Sequence, residues 1–579
     1  MTNNHSIDNR HADAADMLLA RGLLTEEGLE KIRSFQLRRK VSCARAVLEL
    51  WLAGEEDTIR ALAESEHLEY LDLENYQPGD KLLKSVPVKL VFHYQLLPVR
   101  VADDQITLAF SDIPSSIELG NLRLILGKRI QVVLAIPSRL QSEIKRCFGL
   151  GADTVEHLRS ESQIPDLDQE IIYDVGATGD LKPKDGAISK LVDQILDEAL
   201  KLRATDIHIE PYRDAIRLRY RIDGILHKVP VPEQLKQLYG AIVSRLKVMA
   251  DLNIAEKRLP HDGRITMSTQ GEKFDLRVSV IPTKHGETIC LRILGRESLF
   301  MDLGQLGMDP AQEKLFSKMV QLPQGLILIT GPTGSGKTTS LYAALARAND
   351  DGRKIITIED PVEYQMEGIS QIQTRDDIGL TFASGLRSVL RHDPDVVLVG
   401  EIRDQDTAEI AVRAAQTGHL VLSTLHANDS IGVLSRLLGM NMDPHLIGSS
   451  LVASVAQRLA RRICPNCRVQ DEAINDELRM EMAEILAIDP AEVRAWKGEG
   501  CDECAQLGYR GRVAIYEFFL MNDELAEAIA QGMTVTRLKE EARRFGWRSL
   551  RENAFLKIHE GRICLEELRR VTWRIRGDS

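Results

Sequence analysis

"GLILITGPTGSGKTTSLYAALARA", residues 325 to 348, decides the fold. It opens with an apolar run suited to a buried strand and closes with an Ala- and Leu-rich stretch of helical spacing. Between them lies G-x-x-x-x-G-K-[ST], as Gly331, Pro332, Thr333, Gly334, Ser335, Gly336, Lys337 and Thr338. A Gly-rich loop between strand and helix lets successive backbone N–H groups turn inward and cradle phosphates at the helix amino terminus. Lys337 can neutralise β- and γ-phosphates, and the Thr338 hydroxyl can ligate Mg2+. ATP and Mg2+ are the expected ligands.

Three further segments bear on hydrolysis: "IITIEDPVE" (355–363), "RHDPDVVLVGEIRD" (391–404) and "TGHLVLSTLHAND" (417–429). In a parallel sheet the carboxyl ends of neighbouring strands face one crevice. Glu359, Asp360 and Glu363, then Glu401, then His426 are therefore expected to converge on the phosphate loop, with His419 flanking the last strand. Phosphate-loop hydrolases usually end one strand with an aspartate followed by a second acid, but here Gly400 precedes Glu401. Gly400 leaves room for phosphates or for a neighbouring strand end. The expected division of labour gives the metal to Thr338, its water shell to Glu401, the attacking water to Glu359 and the γ-phosphate contact to His426. The roles of Glu359 and Glu401 are exchangeable at this level.

The chain has 579 residues, enough for three or four domains. Its net charge of -12 and 5% aromatic content argue against a nucleic-acid partner, which needs a basic surface. No apolar run approaches the ~20 residues that span a bilayer, and the first residues lack the apolar core of a secretory signal. A cytoplasmic location is expected. Helical spacing over 1–70 gives way to mixed strands and helices over 71–150, then to an acidic, Gly- and Pro-containing linker over 151–185. A second α+β unit covers 186–298. Apolar strands alternating with helices over 299–463 indicate a parallel sheet wrapped by helices, and 505–579 reads as helical.

"RRICPNC" and "GEGCDEC" place Cys464, Cys467, Cys501 and Cys504 as two C-x-x-C pairs bounding an insert over 464–504. Four soft ligands at that spacing favour structural Zn2+ over a redox pair, and metal binding would fold an insert with no core of its own. The acids of "DEAINDELRMEMAEI" speak against a nucleic-acid finger. Cys43, Cys147, Cys290 and Cys564 are scattered and read as packing residues.

From 185 onward the blocks "ATDIHIEPY", "RYRIDG", "IAEKRLPHDGRI", "GPTGSGKTT", "IEDPVE", "GLTFASGLRSVLRHDPDVVLVGEIRD" and "TGHLVLSTLHAND" resemble the secretion ATPases that drive type II secretion and type IV pilus assembly. The resemblance implies an α/β chain: a RecA-like phosphate-loop motor domain preceded by a PAS-like α+β domain and an amino-terminal α+β docking region, with a four-cysteine zinc insert and a helical carboxy-terminal tail. It implies a homo-hexamer, peripheral at the inner face of the inner membrane, docked to platform proteins of the machine. It places the aspartate box at Glu359–Glu363, the variant Walker B acid at Glu401 and the histidine box at His426. Arginines of the PAS-like domain reach the phosphates in this family, and Arg219, Arg221, Arg264 and Arg277 match as candidates.

Some relatives bind cyclic di-GMP through helical repeats opening with Arg-Leu-Gly. "GLLTEEGLEKIRSFQ" keeps only the later half of one repeat, so protein docking is preferred here. "RLPHDGRI" and "IPTKHGETICLRIL" lean towards type II secretion. Pilus extension is the alternative; a nucleic-acid translocase and a non-hydrolysing, nucleotide-gated scaffold stand behind it.

Overall fold

The computed structural model describes residues 12–39, 41–74, 76–152, 154–155, 184–269, 272–294 and 303–572. The expected linker over 151–185 lies almost wholly outside them. The chain forms two units, Met1–Leu294 and Gly295–Ser579.

The first unit carries two sheets. Residues 69–70, 129–134, 105–110 and 97–101 pair in that order into a four-stranded sheet. Its inward residues Ile106, Leu108 and Val133 share one core with Leu18, Ile32, Val47, Ile59 and Leu62 from the preceding helices. The helical and α+β segments separated at residue 70 in the sequence are thus held together by a common core, because amphipathic helices bury their stripes on the sheet. Thr25 caps as its type predicts, accepting the Gly28 N–H at 3.1 Å.

The second sheet is antiparallel, in the order 225–229, 216–222, 204–211, 286–294, 272–283, 261–269. It packs Leu218, Ile207, Leu291 and Val278 inward. The alternate positions form polar rows on the other face.

In the second unit seven strands build one sheet: β1 (Gly325–Thr330), β2 (Ile355–Glu359), β3 (Ser370–Gln373), β4 (Val396–Val399), β5 (Leu420–Leu425), β6 (Leu451–Ile463) and β7 (Tyr509–Leu520). Their order is β3-β2-β4-β5-β1-β6-β7, parallel throughout except for β7, which runs antiparallel to β6. Every residue of β1, β2, β4 and β5 is buried, as near-continuous apolar runs require when helices cover both faces. Leu326, Leu328, Val397 and Val399 enter one core with helix α2 (Gln405–Gln416), whereas Ile327, Ile329, Val396 and Leu398 enter the other with helix α1 (Lys337–Ala348). The predicted helical tail begins instead with β7. Between Tyr509 and Leu520 it pairs with β6 at ten registered positions and extends the sheet. Helices α3 (Val535–Arg544) and α4 (Leu550–His559) follow. No helix of the described residues is long and apolar enough to cross a membrane.

One buried acid joins these carboxy-terminal elements. Glu517 of β7 is 2% exposed. It accepts the Ser430 N–H at 2.8 Å, the Ser430 hydroxyl at 2.5 Å and the Leu550 N–H of α4 at 2.9 Å. Burial pushes its carboxyl above the ordinary range against the pull of those donors. The native state therefore keeps this proton to higher pH than the unfolded chain, and its contribution to stability falls as pH rises past the usual carboxylate range. Glu517→Ala is expected to cost about 3 kcal/mol, because buried donors lose their acceptor. A thermal midpoint that did not move in calorimetry would refute this.

Candidate active site

β2, β4, β5 and β1 are neighbours in the sheet, so their carboxyl ends open on one side. There the phosphate loop leaves β1, Glu401 follows β4 and His426 follows β5. The loop is built on left-handed glycines, Gly334 at φ 77° and Gly336 at φ 86°. A Cβ on Gly331 would lie 2.5 Å from the Gln457 carbonyl of β6, so only glycine fits where loop and strand meet. Lys337 Nζ donates to the carbonyls of Gly331 at 2.9 Å and Pro332 at 3.1 Å. Burial pulls its ammonium below the ordinary value; the Glu401 carboxylate opposes that pull and the Arg458 guanidinium adds to it. Thr338 stands exposed in the first turn of α1.

The two acids differ in setting. Glu401 keeps 18% of its side chain exposed, lies 3.5 Å from His426 Nε2 and is ion-paired with Arg403. Arg403 also approaches Asp360 at 3.7 Å. Glu359 is buried at 4% exposure. Its carboxylate accepts hydrogen bonds from the Tyr342 hydroxyl, from Thr357 Oγ1 at 2.6 Å and from Gln371 Nε2 at 3.2 Å. Three donors thus take up most of its acceptor capacity. His419 lies at the opposite, amino-terminal end of β5, with Nδ1 3.0 Å from the Ala414 carbonyl.

Gly400 sits in tight packing. A Cβ there would stand 3.2 Å from the Ile358 carbonyl, 3.3 Å from the Phe382 ring and 3.4 Å from Glu359 Cα. Its N–H donates to Ile358 O at 2.7 Å. The neighbouring strand end, not an open space, occupies the position.

In the first unit the candidate arginines fall into cross-strand register. Arg264 faces Arg277, Arg277 faces Arg292, Arg292 faces Asp206, and Asp206 faces Arg221. Adjacent like charges repel across strands; Asp206 relieves part of this, at 3.0 Å from Arg292 and 3.4 Å from Arg221. Arg219 belongs to the next row and is held by both oxygens of Glu210 at 2.6 and 2.8 Å. Arg292 is absent from the sequence candidates because only strand pairing reveals the row. Arg458, beside the phosphate loop, was missed for the same reason.

Cys464, Cys467, Cys501 and Cys504 place their sulfurs within 4.8 Å of one another. Three of the separations are 3.8, 3.9 and 3.7 Å. A tetrahedron with Zn–S bonds of ~2.3 Å has edges of about 3.8 Å, so the cluster has the size of a zinc site. Backbone N–H groups of Gly500 and Gly508 lie 3.3 Å from the Cys467 and Cys504 sulfurs, the outer contacts a thiolate needs.

The family model described as type II/IV secretion system protein matches residues 182–570. The MshEN domain model matches 67–154, the α+β part of the amino-terminal region, not the helices that carry "GLLTEEGLEKIRSFQ". The chain is 38% identical to the type IV pilus assembly ATPase PilB of Myxococcus xanthus, over 96% of this chain and 97% of that one. It is 37% identical to the type II secretion system protein E of Xanthomonas campestris, over 96% and 98%. It is 46% identical to the type II secretion system protein E of Klebsiella pneumoniae, over 67% and 76%.

The unequal settings of the two acids predict unequal stability effects. Glu359→Ala strands the buried Tyr342 and Thr357 donors and is expected to cost about 1–3 kcal/mol. Glu401→Gln, near solvent, is expected to leave the thermal midpoint in place. Equal midpoint shifts in differential scanning fluorimetry would contradict the distinction.

Proposed function

The chain belongs to the type II/IV secretion system protein family and is an ATPase of that family, and from that premise we propose that it is the hexameric motor of a type II secretion machine. The observation that carries the proposal is the single crevice where Lys337, Glu401 and His426 meet at adjacent strand ends. Such a crevice suits in-line phosphoryl transfer, where catalysis is chiefly positioning and charge stabilisation.

In this proposal the loop from Gly331 to Thr338 binds the ATP phosphates, with Lys337 on the β- and γ-groups. Thr338 is the Mg2+ ligand; the metal would neutralise charge on the phosphates. Glu401 takes the role of orienting and deprotonating the attacking water, supported by its partial exposure and its place beside His426. His426 contacts the γ-phosphate. Glu359, tied to Tyr342, Thr357 and Gln371, frames the crevice wall. Arg219, Arg221, Arg264 and Arg277 remain the candidate phosphate donors of the PAS-like domain; within their own sheet Arg219 and Arg221 pair with Glu210 and Asp206. The four cysteines hold Zn2+ as a structural site.

The motor works at the inner face of the inner membrane through a platform protein. The helix Ser116–Leu126 supports docking there: it exposes Ile117 at 76% and Leu124 at 84%, an apolar face that a partner would bury. Pilus extension is the second reading, kept open by full-length similarity to relatives of both kinds.

Phosphate release by the assembled protein tests the core of this. Glu401→Gln is expected to lose roughly 10²–10⁴-fold in turnover, and Lys337→Ala to lose nucleotide binding as well. Wild type no faster than Lys337→Ala, with the platform partner present, would overturn the motor. For the insert, metal analysis should find one zinc per four-cysteine cluster. Cys464→Ser should lose the zinc and lower the thermal midpoint.

A further inference from the structure

The four residues after His426 are each held by a different part of the ATPase unit. The Ala427 N–H donates to Thr330 Oγ1 of β1 at 2.8 Å. The Asn428 carbonyl accepts from Arg458 Nη2 of β6 at 2.6 Å. Asp429 accepts from Lys539 Nζ of α3 at 2.6 Å through one oxygen and from the Gly432 N–H at 2.6 Å through the other. Ser430 is held by Glu517 of β7, and its hydroxyl accepts from Trp547 Nε1 at 3.2 Å. These bonds fix a loop that has no ladder of its own, and His426 stands at its start.

Thr330, Arg458 and Glu517 belong to the sheet, whereas Lys539 projects from helix α3 of the carboxy-terminal region. Its side chain is 35% exposed and that of Asp429 29%. An ion pair this wet contributes at most about 1 kcal/mol to stability. Its effect on geometry is another matter, since a shift of ~1 Å in a reacting group costs up to ~10²-fold in rate. Stability is therefore a weak reason for the pair, and aiming the loop a stronger one.

We propose that Lys539 is a positioning residue for ATP hydrolysis, which holds Asp429 so that His426 faces Glu401 and the phosphate loop. The inference rests on the reading of His426 as the γ-phosphate contact. It makes helix α3 part of the catalytic apparatus, although no atom of α3 need touch nucleotide.

The test uses the full-length protein, with Lys539→Met and Lys539→Arg each made alone and in a His426→Ala background. Lys539→Met is expected to lower kcat about tenfold with KM for ATP and the thermal midpoint unchanged, and Lys539→Arg to restore most of the rate. In the His426→Ala background Lys539→Met should cause no further loss, because the two changes remove one function. Equal fractional losses in both backgrounds would overturn the inference, as would a fall explained by a lowered midpoint. Wild-type turnover in Lys539→Met beside a slow His426→Ala would overturn it and leave the His426 assignment standing. Wild-type turnover in His426→Ala alone would overturn both.

Discussion

The hydrogen-bonded register of β1 between β5 and β6 is the constraint on which the second unit depends. Thr330 at the end of β1 pairs with Leu425 on one side and Ala456 on the other. Its hydroxyl donates to Leu425 O at 2.6 Å, with Ala427 O at 3.0 Å as the alternative acceptor. That pairing sets the phosphate loop beside His426 on one flank and beside Gln457 and Arg458 on the other. A one-residue slip would turn every side chain to the opposite face and dissolve both cores at once.

Given that register, the acids sort themselves by depth. β2 and β4 are adjacent, and Gly400 lets them close until its N–H meets Ile358 O. The closeness buries Glu359 against Tyr342 and leaves Glu401 at the crevice. A Cβ at position 400 would meet the Ile358 carbonyl at 3.2 Å and the Phe382 ring at 3.3 Å, so a larger residue would need its neighbours to give by a few tenths of an ångström.

The carboxy-terminal region is similarly tied to the site through polar bonds inside a mostly apolar shell. Glu517, Lys539 and Trp547 all reach the 426–430 loop. The buried bonds made by Glu517 and Trp547 define one geometry, because each unmade buried bond costs far more than a made one contributes. The four-cysteine insert, a two-stranded ribbon and one helix, shares a core with α4: its Ile474, Met482, Val493 and Ala495 are buried with Ala554, Phe555 and Ile558, and its four cysteine sulfurs gather into one cluster.

Much of this was legible in the sequence. "GLILITGPTGSGKTT" specifies strand, loop and helix by local chemistry alone; C-x-x-C pairs specify a four-cysteine cluster; apolar runs of strand length specify a buried parallel sheet. These signals are short-range, and each is complete within a few residues. Other features needed the tertiary structure. β7 was hidden in a segment read as helical, because its partner β6 lies on the far side of the cysteine insert. The arginine row, the burial of Glu359 and the hold of Lys539 on Asp429 join residues separated by up to 110 positions. Sequence determined which chemical groups the protein owns and which local shapes carry them. Strand register and close packing alone decided which of those groups meet, because a hydrogen bond depends on distance in space and leaves no periodic trace along the chain.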